Sequence, residues 1–288
     1  METVPRYDAR YTTATLQAES LIPLGFLGDR PIFLLVRGRG HVRGGGSDGL
    51  TVFSEGVSVA PVLVSSARLV VATGLALGRA DVDIGPFDGS SGTTSFGPQL
   101  TVGGVLGEGW SVAAQLGHSW SHGRSTILRP QRTGTVEVRS EGWSETTTAK
   151  AELTGGFPIL HPSGAPIMVR PRLGVFLSST RVPRTTNSLG ETGTGPSGAR
   201  ESLAAVRGGA SLERSMGAWA PRLYLGWEQE LTDELAVLVK DSGAFLAAAG
   251  LGWSWSRGRR LMMDYTLLRG REGLRRTSDF TIVLILDG

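Results

Sequence analysis

The chain has 288 residues, a net charge of +3 and a hydrophobic content of 40%, enough for one large all-β domain and too apolar for a disordered class. Its longest apolar runs, at 31–36, 60–64 and 281–286, fall far short of the roughly 20 residues of a spanning helix. It has no cysteine, which excludes a disulfide framework and a thiolate metal site.

The amino terminus, METVPRYDARY, lacks a basic start followed by an apolar stretch, so no secretion signal is expected in it. From there the pattern is alternation with a period of two, the mark of strands with unlike faces. Strands are predicted at 9–22, 30–41, 60–82, 96–107, 110–126 and 146–158. Further ones are predicted at 166–180, 201–214, 218–232, 243–257, 260–271 and 278–286, about twelve in all. The stretch 44–60 reads least well; it hides another strand or extends its neighbours.

The run from Trp219 to Thr232 shows the alternation most plainly. Trp219, Pro221, Leu223, Leu225 and Trp227 share one face, and Arg222, Tyr224, Glu228 and Glu230 share the other. Alternation alone fits a soluble sandwich as well as a membrane barrel. The connections separate the two. From the fourth predicted strand on they alternate short and long: GEG against the stretch 122–145, LHPSGAP against the stretch from Arg181 to Arg200, RGR against EGLRRT. Outer-membrane barrels have short turns at one rim and long loops at the other. Glycines inside many strands suit a curved, closed sheet.

The expectation is therefore a single domain over 1–288, a closed antiparallel outer-membrane β-barrel of about 12 strands. The apolar face is expected to meet lipid and lipopolysaccharide. Aromatic residues near strand ends are expected at the headgroup level: Trp110 and Trp120, Trp219 and Trp227, then Trp253, Trp255 and Tyr265. The polar face is expected to line the lumen. Its charged members are Lys150, Glu152, Arg170, Arg172 and Arg207, then Glu213, Arg222, Glu228, Glu230 and Asp264. These read either as a charged passage or as cross-strand ladders that hold the wall together.

The segment LGHSWSHG offers His118, Ser119, Ser121 and His122 for nucleophilic catalysis. A strand points His118 and Ser119 to opposite faces, and likewise Ser121 and His122, so neither pair can act together. No catalytic residue, cofactor or metal is assigned. Arginines are spread along the chain rather than clustered, which disfavours a nucleic-acid partner. The segment 190–200 reads as an external loop.

The carboxyl-terminal third, RESLAAVRGGASLE, WAPRLYLGWEQELTDE, GAFLAAAGLGWSWSRGRRLMMDYTLL and DFTIVLIL, resembles the translocator barrel of autotransporters, the type V secretion family. The resemblance implies a twelve-stranded barrel with a helix in its lumen, joined to an upstream passenger polypeptide. It implies assembly by the barrel-assembly machinery and residence in the outer membrane of a Gram-negative bacterium. The function implied is translocation or anchoring of that passenger at the cell surface, not catalysis. A stand-alone channel and a soluble β-sandwich binding module are the alternatives.

Overall fold

The computed structural model describes residues 9–27, 30–44, 50–66, 68–85, 88–131, 134–159, 166–182, 185–192, 199–231, 243–256, 258–271 and 275–287. Among them the strands are β1 (Ala9–Leu27), β2 (Arg30–Gly44), β3 (Leu50–Ser65), β4 (Leu69–Ile84) and β5 (Gly89–Gly107). The longest are β6 (Trp110–Gln131) and β7 (Gly134–Gly155), of 22 residues each. Then follow β8 (Phe157–Ile159), β9 (Ile167–Val182), β10 (Ala199–Arg214) and β11 (Trp219–Glu230). The chain finishes with β12 (Gly243–Ser256), β13 (Arg259–Gly270) and β14 (Arg275–Asp287).

Thirteen strands close into a barrel. Each pairs antiparallel with its neighbours, β10 with β9 included, except at one seam where β1 meets β14 in parallel. An odd number of alternating strands cannot close without one such seam. Closure removes every edge over the paired length. The short β8 is an added piece: it continues the line of β7 past Gly156 and pairs only with Ile167–Val169 of β9.

The strand number corrects the expected twelve. The predicted strand 60–82 is the end of β3, a turn and most of β4, and the poorly read stretch 44–60 holds the body of β3. No glycine or proline marks the turn. Ser66 makes it instead: its Oγ accepts hydrogen bonds from the backbone N–H of Arg68 (3.3 Å) and Leu69 (3.0 Å). Its own N–H donates to the Leu69 carbonyl at 2.9 Å. A serine side chain that replaces a ladder bond turns the chain without breaking its alternation.

The stretch 122–145, predicted as a long loop, is also strand. β6 and β7 remain paired from Trp110↔Gly155 out to Gln131↔Gly134, whereas β7 pairs with β9 only up to Glu145↔Arg181. The hairpin therefore projects beyond its neighbour. Both faces of the projection carry polar residues, so hydrophobic alternation fades while the ladder continues. Residues 185–192 fold back on it: Ser188 N–H donates to the Arg139 carbonyl (2.8 Å), Arg139 N–H donates to Ser188 Oγ (3.0 Å), and Arg129 pairs with Glu191 (3.0 Å). Of the predicted 190–200 loop, residues 193–198 lie outside the described residues, as do 232–242 of the connection between β11 and β12.

A two-residue turn joins β5 to β6 through Glu108 and Gly109, at φ +48° and +85°. Two successive positive φ values match the right-handed twist of a two-residue hairpin. The fully described connections at this rim, β5 to β6 and β10 to β11, are short, and β14 also ends there. Residue 9, the start of β1, stands at the opposite rim, because β1 runs parallel to β14.

Candidate functional site: the barrel lumen and its outer band

Side chains alternate between the two surfaces of the wall. On β11 the outward set is Leu223 (59% exposed), Leu225 (71%) and Trp227, and the inward set is Arg222, Tyr224, Gly226 and Glu228. On β4 Leu75 and Leu77 project outward, and on β9 so do Leu173, Val175 and Leu177. The result is a continuous apolar band on the outside of the barrel.

Aromatic rings bound the band at two levels. At the short-turn level Trp219 stacks on Trp253 (centroids 5.8 Å apart), Trp253 meets Trp255 at 5.3 Å, and Trp110 meets Phe157 at 5.3 Å. At the other level Trp120 packs on Phe96 (5.5 Å) and on His118 (4.8 Å), and Trp143 packs on His122 (4.8 Å). Trp227 belongs to this level, opposite Phe245 and with its ring lying over Gly208. Tyr265 sits within the band, facing outward between Ala249 and Phe280. Ten residues separate Trp110 from Trp120, about 34 Å along the strand. With the tilt usual for such barrels, about 40°, the rise is about 26 Å, the height of an outer-membrane barrel's apolar girdle.

Beyond the upper aromatic level the outer face becomes charged. Arg124 and His122 both pair with Glu141, at 3.2 and 2.9 Å. His118 hydrogen-bonds Thr147 (2.9 Å) on the outer face. Ser119 and Ser121 take the inward positions of the same strand, so the structure brings neither histidine to a serine.

The interior is polar at mid-height; toward the short turns it is apolar on the β1–β4 side and charged on the β9–β13 side, where Arg170, Glu213 and Arg260 lie. On the apolar side Ala60, Val62 and Ala72 are buried, with Leu21, Phe33 and Leu35 packed on them. Above this cluster lies a cavity of about 940 Å³ lined by Lys150, Glu152, Arg207, Glu228 and Glu230, and by residues of β1 and β2. Among the described residues no α-helix occupies it.

The charged inner residues of β9–β13 are brought together as pairs. Arg207 and Glu228 stand directly opposite and bond through Nε (3.1 Å) and Nη2. Glu213 lies between Arg170 and Arg260, 3.4 Å from each. Arg222 and Asp264 form a two-pronged pair, with Nε to Oδ1 at 2.6 Å and a second bond from Nη2 to Oδ2. These two residues lie on β11 and β13, and β12 runs between them. Gly250 is the residue opposite both, and a Cβ there would fall onto Asp264 Oδ1 and come within 2.8 Å of Arg222 Nε. Glycine lets the pair bridge three strands. Arg172 faces inward opposite Gly209, with a buried Nε that has no hydrogen-bond partner. Glu152 accepts a bond from Thr154 (3.0 Å) on its own strand. Tyr224 lies across Gly209 and Gly226 and donates to the Gly208 carbonyl at 3.4 Å.

Sequence reasoning missed the other half of the lumen. Glu19 and Arg37 form an ion pair (2.8 Å), Gln115 donates to Gln99 (3.1 Å), and Arg39 stands beside them on the cavity wall. The signal was present in RGRGHVR, which places Arg37, Arg39, His41 and Arg43 on one face.

Comparison with known proteins places this architecture. A family model described as the autotransporter beta-domain matches residues 36–266. Among solved structures, the beta domain of the Bordetella autotransporter BrkA is 18% identical, with a TM-score of 0.52, over 82% of this chain and 89% of that one. The translocator domain of NalP from Neisseria meningitidis is 13% identical, with a TM-score of 0.52, over 91% and 82%. The CymD monoaromatic hydrocarbon channel is 10% identical, with a TM-score of 0.50, over 90% and 83%. At these identities the likeness is one of fold. No curated protein matches the sequence.

Proposed function

The chain belongs to the autotransporter beta-domain family, and from that premise we propose that lipid covers its outer apolar band while its lumen stays wet and polar. The domain is a barrel of the Gram-negative outer membrane that translocates an amino-terminal passenger or anchors it at the cell surface. The family is one of transport domains. The long-loop rim faces the exterior and the short turns face the periplasm, as outer-membrane barrels arrange them. Lipid and lipopolysaccharide are the partners of the outer band, and the barrel-assembly machinery inserts it.

One observation carries the route of the passenger. β1 enters the wall at the long-loop rim, parallel to β14, so the wall begins at Ala9 on the side that this reading makes the outer one. The charged residues of the lumen hold the wall in shape and keep the passage hydrated. A folded reporter fused ahead of residue 1 and exported in a Gram-negative host tests this. External protease on intact cells should remove the reporter and leave the barrel. A reporter protected until the outer membrane is broken overturns it.

A second reading, a stand-alone channel, is favoured by the likeness to CymD and by the interior cavity. Steady conductance across a planar bilayer, unchanged by an upstream fusion, supports it over translocation.

A further inference from the structure

We propose that the outward arginines of β13 and β14 bind the phosphates of a phosphorylated lipid of the outer leaflet, the headgroup of lipopolysaccharide. The proposal deepens the membrane reading and rests on it for the lipid, while the contacts it uses are set by the wall alone.

The upper aromatic level of the outer wall changes chemistry as it passes along the sheet. Trp227 on β11 stands opposite Phe245 on β12, Phe245 opposite Arg269 on β13, and Arg269 opposite Arg276 on β14. One row of side chains thus runs from aromatic to cationic. Both arginines share the face of Tyr265 and Phe280, which stand opposite each other lower on the same strands and are 46% and 41% exposed. Arg271 adds a third guanidinium one step higher: a Cβ at Gly243, an outward position of β12, would lie 4.0 Å from the Arg271 Cβ. All three arginines are exposed. Arg10 is the β1 residue opposite Arg276.

Among the described residues nothing neutralises this row. Residues directly opposite on adjacent strands have Cβ atoms about 4.5–5.5 Å apart, and like charges so placed destabilise a sheet. The positions diagonal to Arg269 hold Gly243, Ala247 and Ser278, and those diagonal to Arg276 hold Leu267, Arg271 and Thr12. Among the described residues no carboxylate lies at ion-pair distance from Arg269, Arg271 or Arg276. The run 267–277, LLRGREGLRRT, contains four arginines and one carboxylate, Glu272, so pairing with it leaves three of them unmatched. Elsewhere on the upper wall outward arginines are matched, Arg79 with Asp81 (2.9 Å) and Arg124 with Glu141 (3.2 Å). An anion held between Arg269 and Arg276 relieves the repulsion that the wall itself leaves in place.

The level of the row selects the guest. A guanidinium offers a phosphate two parallel bonds, and two guanidiniums set side by side can share one phosphate. Below the arginines the same strands turn Leu267, Tyr265 and Phe280 outward, an apolar surface for acyl chains. Cations directly above such a surface match a lipid whose phosphate sits at the headgroup level. A free phosphate would use only the upper half of this arrangement.

In the test, the refolded full chain is immobilised in detergent, loaded with lipid A, the phosphorylated anchor of lipopolysaccharide, and washed. Mass spectrometry counts the lipid left per barrel. Dephosphorylated lipid A and inorganic phosphate serve as comparisons. Lipid A should be retained and its dephosphorylated form lost. Arg269→Gln with Arg276→Gln should lower retention about ten-fold or more, the loss expected when a charge-assisted contact is removed. Arg79→Gln, which removes a matched arginine from the same wall, should leave it unchanged. The unaltered protein gives a reading independent of any variant. Bound lipid A should slow modification of Arg269 and Arg276 by phenylglyoxal, and not that of Arg259 at the short-turn end of β13. Equal retention of the dephosphorylated lipid, equal retention by the double variant or unchanged phenylglyoxal modification overturns the site. Release of lipid A by inorganic phosphate at equal phosphate concentration overturns the lipid as its guest. The site can fail while labels at 223 and 225 still meet hydrocarbon in vesicles, and that outcome separates it from the membrane reading.

Discussion

Replacing Gly250 by alanine should break an ion pair between two other strands. The Arg222–Asp264 pair crosses directly over Gly250, and the new Cβ takes the place of Asp264 Oδ1. Both partners are about one-fifth exposed, at 20% and 19%. Breaking a fully buried pair costs about 3–5 kcal/mol and an exposed one under about 1, so this pair is worth about 2–3 kcal/mol. Alanine returns about 0.4–1 kcal/mol by restricting the unfolded chain. The net expectation is a loss of about 1–2 kcal/mol, measured by urea unfolding of the refolded barrel in detergent. The cycle with Asp264→Ala isolates the cause. In that background the obstructing carboxylate is gone, and Gly250→Ala should be neutral or slightly stabilising. An equal loss in both backgrounds refutes the reasoning, because the cost would then lie in the strand rather than in the pair.

Leu223→Arg puts a charge in the middle of the outer band and should cost about 2–4 kcal/mol in lipid vesicles, the penalty for a midplane arginine on a barrel surface. A change below about 0.5 kcal/mol would place Leu223 outside hydrocarbon. The Glu191 carboxyl is held below its ordinary range, first by its hydrogen bond from Asn187 and then by Arg129. A depressed carboxylate contributes above its ordinary range and loses that contribution as pH falls through the depressed value. A spin label at Leu189→Cys should therefore gain mobility on acidification from pH 7 to 3, and Glu191→Gln should be mobile at both. Equal mobility at both pH values in the unaltered background contradicts that attachment.

Periodicity reports which residues share a face, and in this chain it does so wherever one face is apolar. It fails in two physical situations. Between β3 and β4 the alternation runs on through Ser66, because a serine hydroxyl, not a glycine or proline, makes the turn. In the projecting hairpin both faces carry polar residues, so β6 and β7 continue without the contrast that reveals a strand. Pairing is a different kind of information. Arg222 and Asp264 are 42 residues apart and meet only because β12 presents Gly250 between them. A glycine inside a strand signals some close approach, but not which side chains make it. The basic run on β2 is written plainly in RGRGHVR, yet counting arginines along the chain disperses it. Only the closed wall sets it opposite Lys150.

The central claim is that alternate residues of each strand meet hydrocarbon and water. The chain has no cysteine, so single spin labels can be placed along β11 without background. In lipid vesicles, labels at 223 and 225 should collide chiefly with oxygen, and labels at 222 and 224 chiefly with a water-soluble nickel chelate. A reversed order, or chelate access at all four positions, would contradict the account.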